Sequence, residues 1–172
     1  MAGAASATDE LTICYNYDCA STAIVSFGDS QLNQIALFFH SVTDSASERS
    51  AVSLAIGQFE VFAGQQTPTW VDRGGNYADD GMNGRMDCLD HSHNTTLYLQ
   101  LMVDHGWIRF HRVLERQMRA PFSFDTHWSA VIEETQSGQK YAVDSWFFDN
   151  GKPAVIFTLE DWLAGANPAD AH

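Results

Sequence analysis

Basic side chains are scarce in this sequence: nine lysines and arginines stand against 22 aspartates and glutamates, giving a formal charge of −13 over 172 residues. A field of that sign repels phosphate backbones and anionic headgroups alike, which argues against nucleic acid as a partner. Long hydrophobic runs are missing too. No stretch of about 18 apolar residues occurs, so membrane insertion is not expected. Cysteine is limited to three residues, too few for a disulfide framework. Cys14 and Cys19 lie close together and Cys88 stands alone, which makes Cys88 the candidate for thiol chemistry. Residues 1–7 are small, as near a signal cleavage site, but lack both a basic n-region and an apolar h-region. They read either as a cytoplasmic start or as what remains of a periplasmic or exported chain after its signal is removed.

Apolar material is plentiful: 45% of the residues are hydrophobic and 12% aromatic, enough for a real core at this length. The expectation is one domain over residues 1–172, with flexible ends at 1–9 and 166–172. Residues 11–14 and 23–27 are strand-like runs around the turn-rich Asn16-Tyr17-Asp18, a short hairpin. Gly28-Asp29-Ser30 offers an N-cap for a helix with Leu32, Ile35, Ala36, Phe38 and Phe39 at helical spacing. A second helix starts near Ser45 or Ser47, carries Ala51, Leu54, Ala55, Phe59, Val61 and Phe62, and ends at Gly64.

Residues 65–87 follow neither period, and an irregular stretch of that length inside a domain is usually functional or mobile. It leads into a helix over 89–103 with Leu97, Tyr98 and Leu101 on the inward stripe. The period then changes to that of strands, at 107–113, 127–132 and 141–147, with the last two paired across a turn at 134–138. Leu159–Leu163 reads as a short terminal helix. The fold class is α+β.

A thiol attacks a carbonyl as thiolate, and a cysteine in the first turn of a helix gains thiolate character from the unpaired N–H groups and the helix dipole. Cys88 sits at such a junction, after Gly84-Arg85-Met86-Asp87, with Arg85 adding positive potential. A lone cysteine is more often a small buried hydrophobe, so the weight falls on a histidine and an aspartate further along the chain. The interval to His127 leaves room for a helix, a turn and a strand, which returns the chain to the helix start. Asp144 follows His127 at an odd separation, and across an even-length hairpin loop that places both side chains on one face. A loop at 134–137 sets them opposite each other, whereas a tight Ser137-Gly138 turn offsets them.

In that geometry His127 takes the Cys88 proton, and Asp144 accepts the other imidazole N–H to fix tautomer and orientation. The expected resting state is an ion pair, with the thiol below its free value of about 8.5. The Cys88 backbone N–H is the expected oxyanion donor, and a second comes from residues 65–87, with Trp70 and Asn83 as candidates.

Asp87-Cys88-Leu89-Asp90, His127-Trp128-Ser129-Ala130-Val131 and Ala142-Val143-Asp144-Ser145-Trp146, in that order, resemble the Cys, His, Asp core of transglutaminase-like cysteine peptidases of the papain-fold superfamily. The likeness covers residues 80–150. More loosely the whole chain, including Cys14-Tyr15-Asn16-Tyr17-Asp18-Cys19, is similar to a bacterial branch of that superfamily. The resemblance implies a papain/transglutaminase-like core in which the nucleophile helix packs on an antiparallel sheet. It also implies a thiol-dependent peptidase or amidase with Cys88, His127 and Asp144 as catalytic residues, an acyl-enzyme intermediate, and no cofactor or metal. Substrates would be peptides, proteins or other amides, with transfer to an amine as a variant outcome. Leu89 and Asp90 depart from the aromatic that comes after the cysteine in transglutaminases proper, which weakens glutamine cross-linking in particular.

Other readings compete. Cys88, Asp90, His91 and His93 are four zinc-ligand types in a short span, but only Cys88 and His91 have helical spacing for one site. His91 is also within helical reach of Cys88 as a base, which leaves Asp144 without a role. His105 and His111 read as surface and strand histidines. Cys14 and Cys19 close a hairpin-tip disulfide if their Cα atoms lie within about 7 Å. Finally, Trp107, Trp128, Trp146 and Phe147 form an aromatic-rich face for a non-catalytic binding module.

Overall fold

Strand alternation builds the first unit: β1 (Asp9–Tyr15) and β2 (Ser21–Phe27) pair antiparallel, with Cys14 opposite Thr22. The computed structural model describes residues 8–121 and 126–171. Residues 1–7 and 172 of the expected flexible ends lie outside the described residues. Asp9 belongs to β1, and Ala166 and Asn167 accept hydrogen bonds from Arg119. A Cys14–Cys19 disulfide closes the hairpin tip. Asn16, Tyr17, Asp18 and Cys19 have φ of 69, 65, 50 and 53°. A left-handed run of that kind costs L-residues roughly 1–2 kcal/mol each.

Local side-chain chemistry sets the helix starts. α1 (Asp29–Leu37) begins after Gly28, whose N–H donates to Gln31 Oε1 at 3.1 Å. α2 (Ser45–Gly64) begins after Asp44, whose Oδ1 accepts from Ser47 N at 2.7 Å. A short 3-10 turn at Pro68–Val71 interrupts the irregular stretch. α3 (Cys88–Asp104) begins after Asp87, whose Oδ1 accepts from Asp90 N at 2.9 Å while the Asp87 N–H donates back to Asp90 Oδ2 at 3.3 Å. This capping box makes Cys88 the first helical residue.

The second sheet has the order β3-β4-β5-β6, all antiparallel, from β3 (His111–Arg119), β4 (His127–Glu134), β5 (Lys140–Asp144) and β6 (Val155–Thr158). α4 (Leu159–Leu163) comes directly after β6. The strand expected from Trp107 begins instead at His111, because the Arg109 and Phe110 N–H groups donate to the buried Glu48 carboxylate, at 2.7 and 3.0 Å. The strand expected through Phe147 stops at Asp144, and β6 is a strand that sequence periodicity did not predict.

α3 lies against β4 on one side and β1 on another. Its buried face is polar near Cys88 (His91, Asn94, Thr95) and apolar beyond (Tyr98, Leu101, Met102), with Leu97 only half-buried. Phe59 stacks on Tyr98 at 5.0 Å and meets Phe27 edge-on at 5.1 Å, so three elements share one aromatic contact. Each such burial stabilises by roughly 1.5–3 kcal/mol. The result is an α+β arrangement with antiparallel sheets. Among the described residues no helix is long and apolar enough to cross a membrane.

Candidate active site

Cys88 opens α3, His127 opens β4 and Asp144 ends β5, so three element termini converge. The β4–β5 loop is 135–138, closed by Gly138 N to Glu134 O and Glu134 N to Gln139 O, both 2.8 Å, with Gly138 at φ +75°. This differs by one residue from the 134–137 loop that would set the pair opposite. Ala130 faces Val143 in register, which puts Ser129 opposite Asp144 and His127 diagonal to it on the same face. Parity survives the shift. His127 Nε2 lies 2.6 Å from Asp144 Oδ2, with both residues buried.

Asp144 is held by more than histidine. Trp162 Nε1 donates to Oδ2 at 2.9 Å, and Trp146 N donates to Oδ1 at 3.2 Å. Trp162 is fully buried in α4, and sequence reasoning missed its part in the site. The signal that could have found it is chemical: a buried indole N–H requires an acceptor. Trp146, Phe147 and Trp162 flank the His127 ring at centroid distances of 4.7, 5.6 and 5.8 Å.

The Cys88 sulfur lies beside the backbone N–H of Trp128, the residue after His127. Burial pushes the thiol up to about 11; the Trp128 N–H works against this, while the Asp87 and Asp144 charges add to it. The resting thiol is therefore protonated at neutral pH, not part of the ion pair expected from its place at a helix start. The Arg85 charge is offset where it lies, because it pairs with Asp79 at 2.9 Å and donates to Val71 O.

Cys88 faces a cleft of about 240 Å³ bordered by Tyr17, Tyr77, Trp128, Trp146 and Asp87. Trp70 and Asn83 do not border it: Trp70 is 69% exposed and Asn83 Oδ1 accepts from Asn16 Nδ2 at 3.1 Å. From residues 65–87 it is Asn76, Tyr77 and Asp87 that reach the cleft. Of the predicted aromatic face, Trp128 and Trp146 line the cleft and Phe147 backs His127, while Trp107 stacks on Phe39 and His105 instead. Gly74 lets the irregular stretch approach this region closely; its N–H donates to Asp149 Oδ1 at 3.1 Å, and a Cβ there would sit 2.3 Å from Phe147 O. A larger groove of about 620 Å³ lies between α2 and β5–β6, but its lining includes neither cysteine nor histidine.

His91 turns away from Cys88 into a polar interior. Its Nε2 lies 2.9 Å from Asp72 Oδ2, and its Nδ1 lies 2.8 Å from Ser145 Oγ and 3.6 Å from Glu60 Oε1. Burial pulls His91 down, but hydrogen bonds to Asp72 and Glu60 and their charges outweigh it and carry it up to about 10. It is a fixed imidazolium, not a base for Cys88. Asp90 goes to the hairpin tip, accepting from Tyr17 N and Cys19 N at 2.8 Å each. The zinc set drawn from Cys88, Asp90, His91 and His93 is thereby dispersed. Among the described residues, the group of metal-ligand types that comes together is Cys14, Cys19 and Asp90, whose sulfurs are already bonded to each other. His105 pairs with Asp9 at the surface, and His111 meets buried Glu48 at 2.8 Å.

Compared with protein-family models, with curated proteins and with solved structures, the chain matches none.

Proposed function

We propose that the protein is a thiol-dependent acyl-transfer enzyme of papain/transglutaminase-like architecture, a peptidase or amidase, with Cys88 as nucleophile, His127 as base and Asp144 as the residue that orients it. The observation that carries this reading is the buried 2.6 Å His127–Asp144 contact beside a helix-start cysteine that opens on a cleft. With Nε2 engaged by Asp144, Nδ1 is the ring nitrogen left to take the Cys88 proton. Because the resting thiol is neutral, deprotonation belongs to the attack itself: Sγ–H passes its proton to His127 as sulfur bonds to the carbonyl carbon. The oxyanion accepts from the Cys88 N–H, one of the first-turn donors of α3 that have no intrahelical acceptor. The imidazolium then protonates the leaving amine or thiol. Water, deprotonated by His127, cleaves the thioester and regenerates the thiol; an amine in its place gives transfer.

The test is acylation by peptide thioesters followed by acid quench and mass spectrometry. A thioester adduct on Cys88, slowed strongly in His127→Ala, supports the reading. No adduct from any thioester would move a second reading first, a non-catalytic module that binds through the aromatic cleft. That alternative is favoured by the raised Cys88 thiol, since a permanently neutral sulfur is a poor nucleophile.

A further inference from the structure

The hairpin tip is joined to the start of α3 through backbone donors. Tyr17 N and Cys19 N donate to the two oxygens of Asp90 at 2.8 Å, and Asp18 N donates to Asp87 Oδ2 at 3.0 Å. Asp87 and Asp90 are the reciprocal capping pair that makes Cys88 the first residue of the helix. These three N–H groups point at the carboxylates because residues 16–19 are left-handed, a conformation that L-residues leave when nothing holds them there. The Cys14–Cys19 bond ties off both ends of that turn. Asn94, two turns into α3, also grips Cys14, accepting from its N–H and donating to its carbonyl, both at 2.8 Å.

The bond is open to attack on one side. Cys19 is exposed while Cys14 is 3% exposed, and the disulfide borders a small pocket of about 150 Å³ with His93 and Arg116. Arg116 Nη1 reaches Leu89 O at 3.3 Å and Ser92 Oγ at 3.1 Å, so the pocket that the disulfide borders also holds a cation fixed to the first turns of α3. Leu89 borders both this pocket and the Cys88 cleft.

We propose that Cys14–Cys19 is a dithiol-exchange site whose opening releases the cap of the Cys88 helix. A thiolate of an external dithiol attacks Cys19 Sγ, and the Cys14–Cys19 bond breaks with its electron pair going to Cys14, which takes up a proton. The second thiol of the reductant then attacks the mixed disulfide, releasing Cys19 as thiolate to be protonated and leaving the reductant as its own disulfide. Two electrons and two protons pass to the protein. Residues 16–19 return to right-handed backbone, their N–H groups leave Asp87 and Asp90, and the first turn of α3 loosens around Cys88. The inference concerns the accessibility of Cys88 and stands whether or not that thiol carries acyl chemistry.

The experiment treats the native protein with dithiothreitol. Hydrogen exchange of the peptide over 88–92 and iodoacetamide labelling of Cys88 are monitored by mass spectrometry. Expected are native-state reduction of Cys14–Cys19 and a rise of about fivefold or more in both readouts, the scale of a lost helix cap. Peptides from α2 and β4 keep their protection, reoxidation reverses the change, and the Cys14→Ser/Cys19→Ser double variant behaves as the reduced protein without reductant. A bond that resists dithiothreitol until the chain unfolds would overturn the proposal. So would Cys88 readouts unmoved by reduction, or protection lost equally throughout the chain.

Discussion

His127 and His91 are both buried, and each places Nε2 close to an aspartate, 2.6 Å from Asp144 and 2.9 Å from Asp72. The difference lies on the opposite edge of the ring. His91 Nδ1 meets Ser145 at 2.8 Å with Glu60 at 3.6 Å, so two carboxylates hold its proton through neutral pH. His127 has one carboxylate, aromatic rings about it, and the Cys88 thiol by the next backbone N–H. The same histidine–aspartate contact is thus closed into a brace by a second carboxylate at His91, and at His127 is surrounded by aromatic rings. The brace also serves its neighbour: Asp72 Oδ1 accepts from Met86 N at 2.8 Å just ahead of Cys88, and Ser145 is next in the chain to Asp144.

The sharpest way to separate the two pairs is Asp144→Asn. Under the proposed chemistry it should slow acylation of Cys88 by about 10³–10⁴-fold, through loss of the tautomer that presents Nδ1 to the thiol. Thioester labelling at matched folded fraction reads this, and a rate within threefold or so of the parent would dissociate Asp144 from the chemistry.

Next in size is stability. His91→Ala leaves Asp72 and Glu60 buried without their cation and should cost about 3–5 kcal/mol in urea denaturation. His127→Ala leaves Asp144 with the Trp162 and Trp146 donors and should cost less, about 1–3 kcal/mol. Equal costs would break the distinction between brace and working pair. Trp162→Phe keeps one aromatic ring but removes the donor to Asp144 together with part of the buried indole, for about 1.5–3 kcal/mol by the same assay.

A pH series sharpens the contrast further. His91 is carried up to about 10 from an ordinary 6.5, so its contribution to stability is complete below pH 6.5 and is lost as pH climbs towards 10. The denaturation midpoint should fall over that window, and the fall should flatten in His91→Gln. Smallest is Asp87→Ala, about 1 kcal/mol for the lost cap, read in the same denaturation assay.

Much of the secondary structure was legible from period and caps. The starts near Ser45 and near Cys88 were legible to within a residue, and the caps that set them, Asp44 and Asp87, act through atoms within three residues. The face shared by His127 and Asp144 was legible as well, since their odd separation puts both on one face of the antiparallel pair for any hairpin loop of even length. What failed depended on distant partners. Residues 107–110 have a strand pattern, yet Glu48 takes the N–H groups of Arg109 and Phe110. Arg85 reads as a positive charge beside Cys88, yet Asp79 claims it. Neither Trp162 on Asp144 nor the polar interior around His91 leaves a periodic trace, because polar burial depends on which elements meet and not on spacing along one of them.

The sequence by itself determined the α+β class, the helix that starts at Cys88 and the common face of His127 and Asp144, since each is set by local chemistry or by counting along one chain segment. Only the tertiary structure decided that the Cys88 thiol is neutral at rest, that His91 is a sealed brace, and that the disulfide loop holds the two carboxylates that cap the Cys88 helix. These depend on burial and on charges far away in sequence, and the energy of an ionisable group is set by everything packed around it.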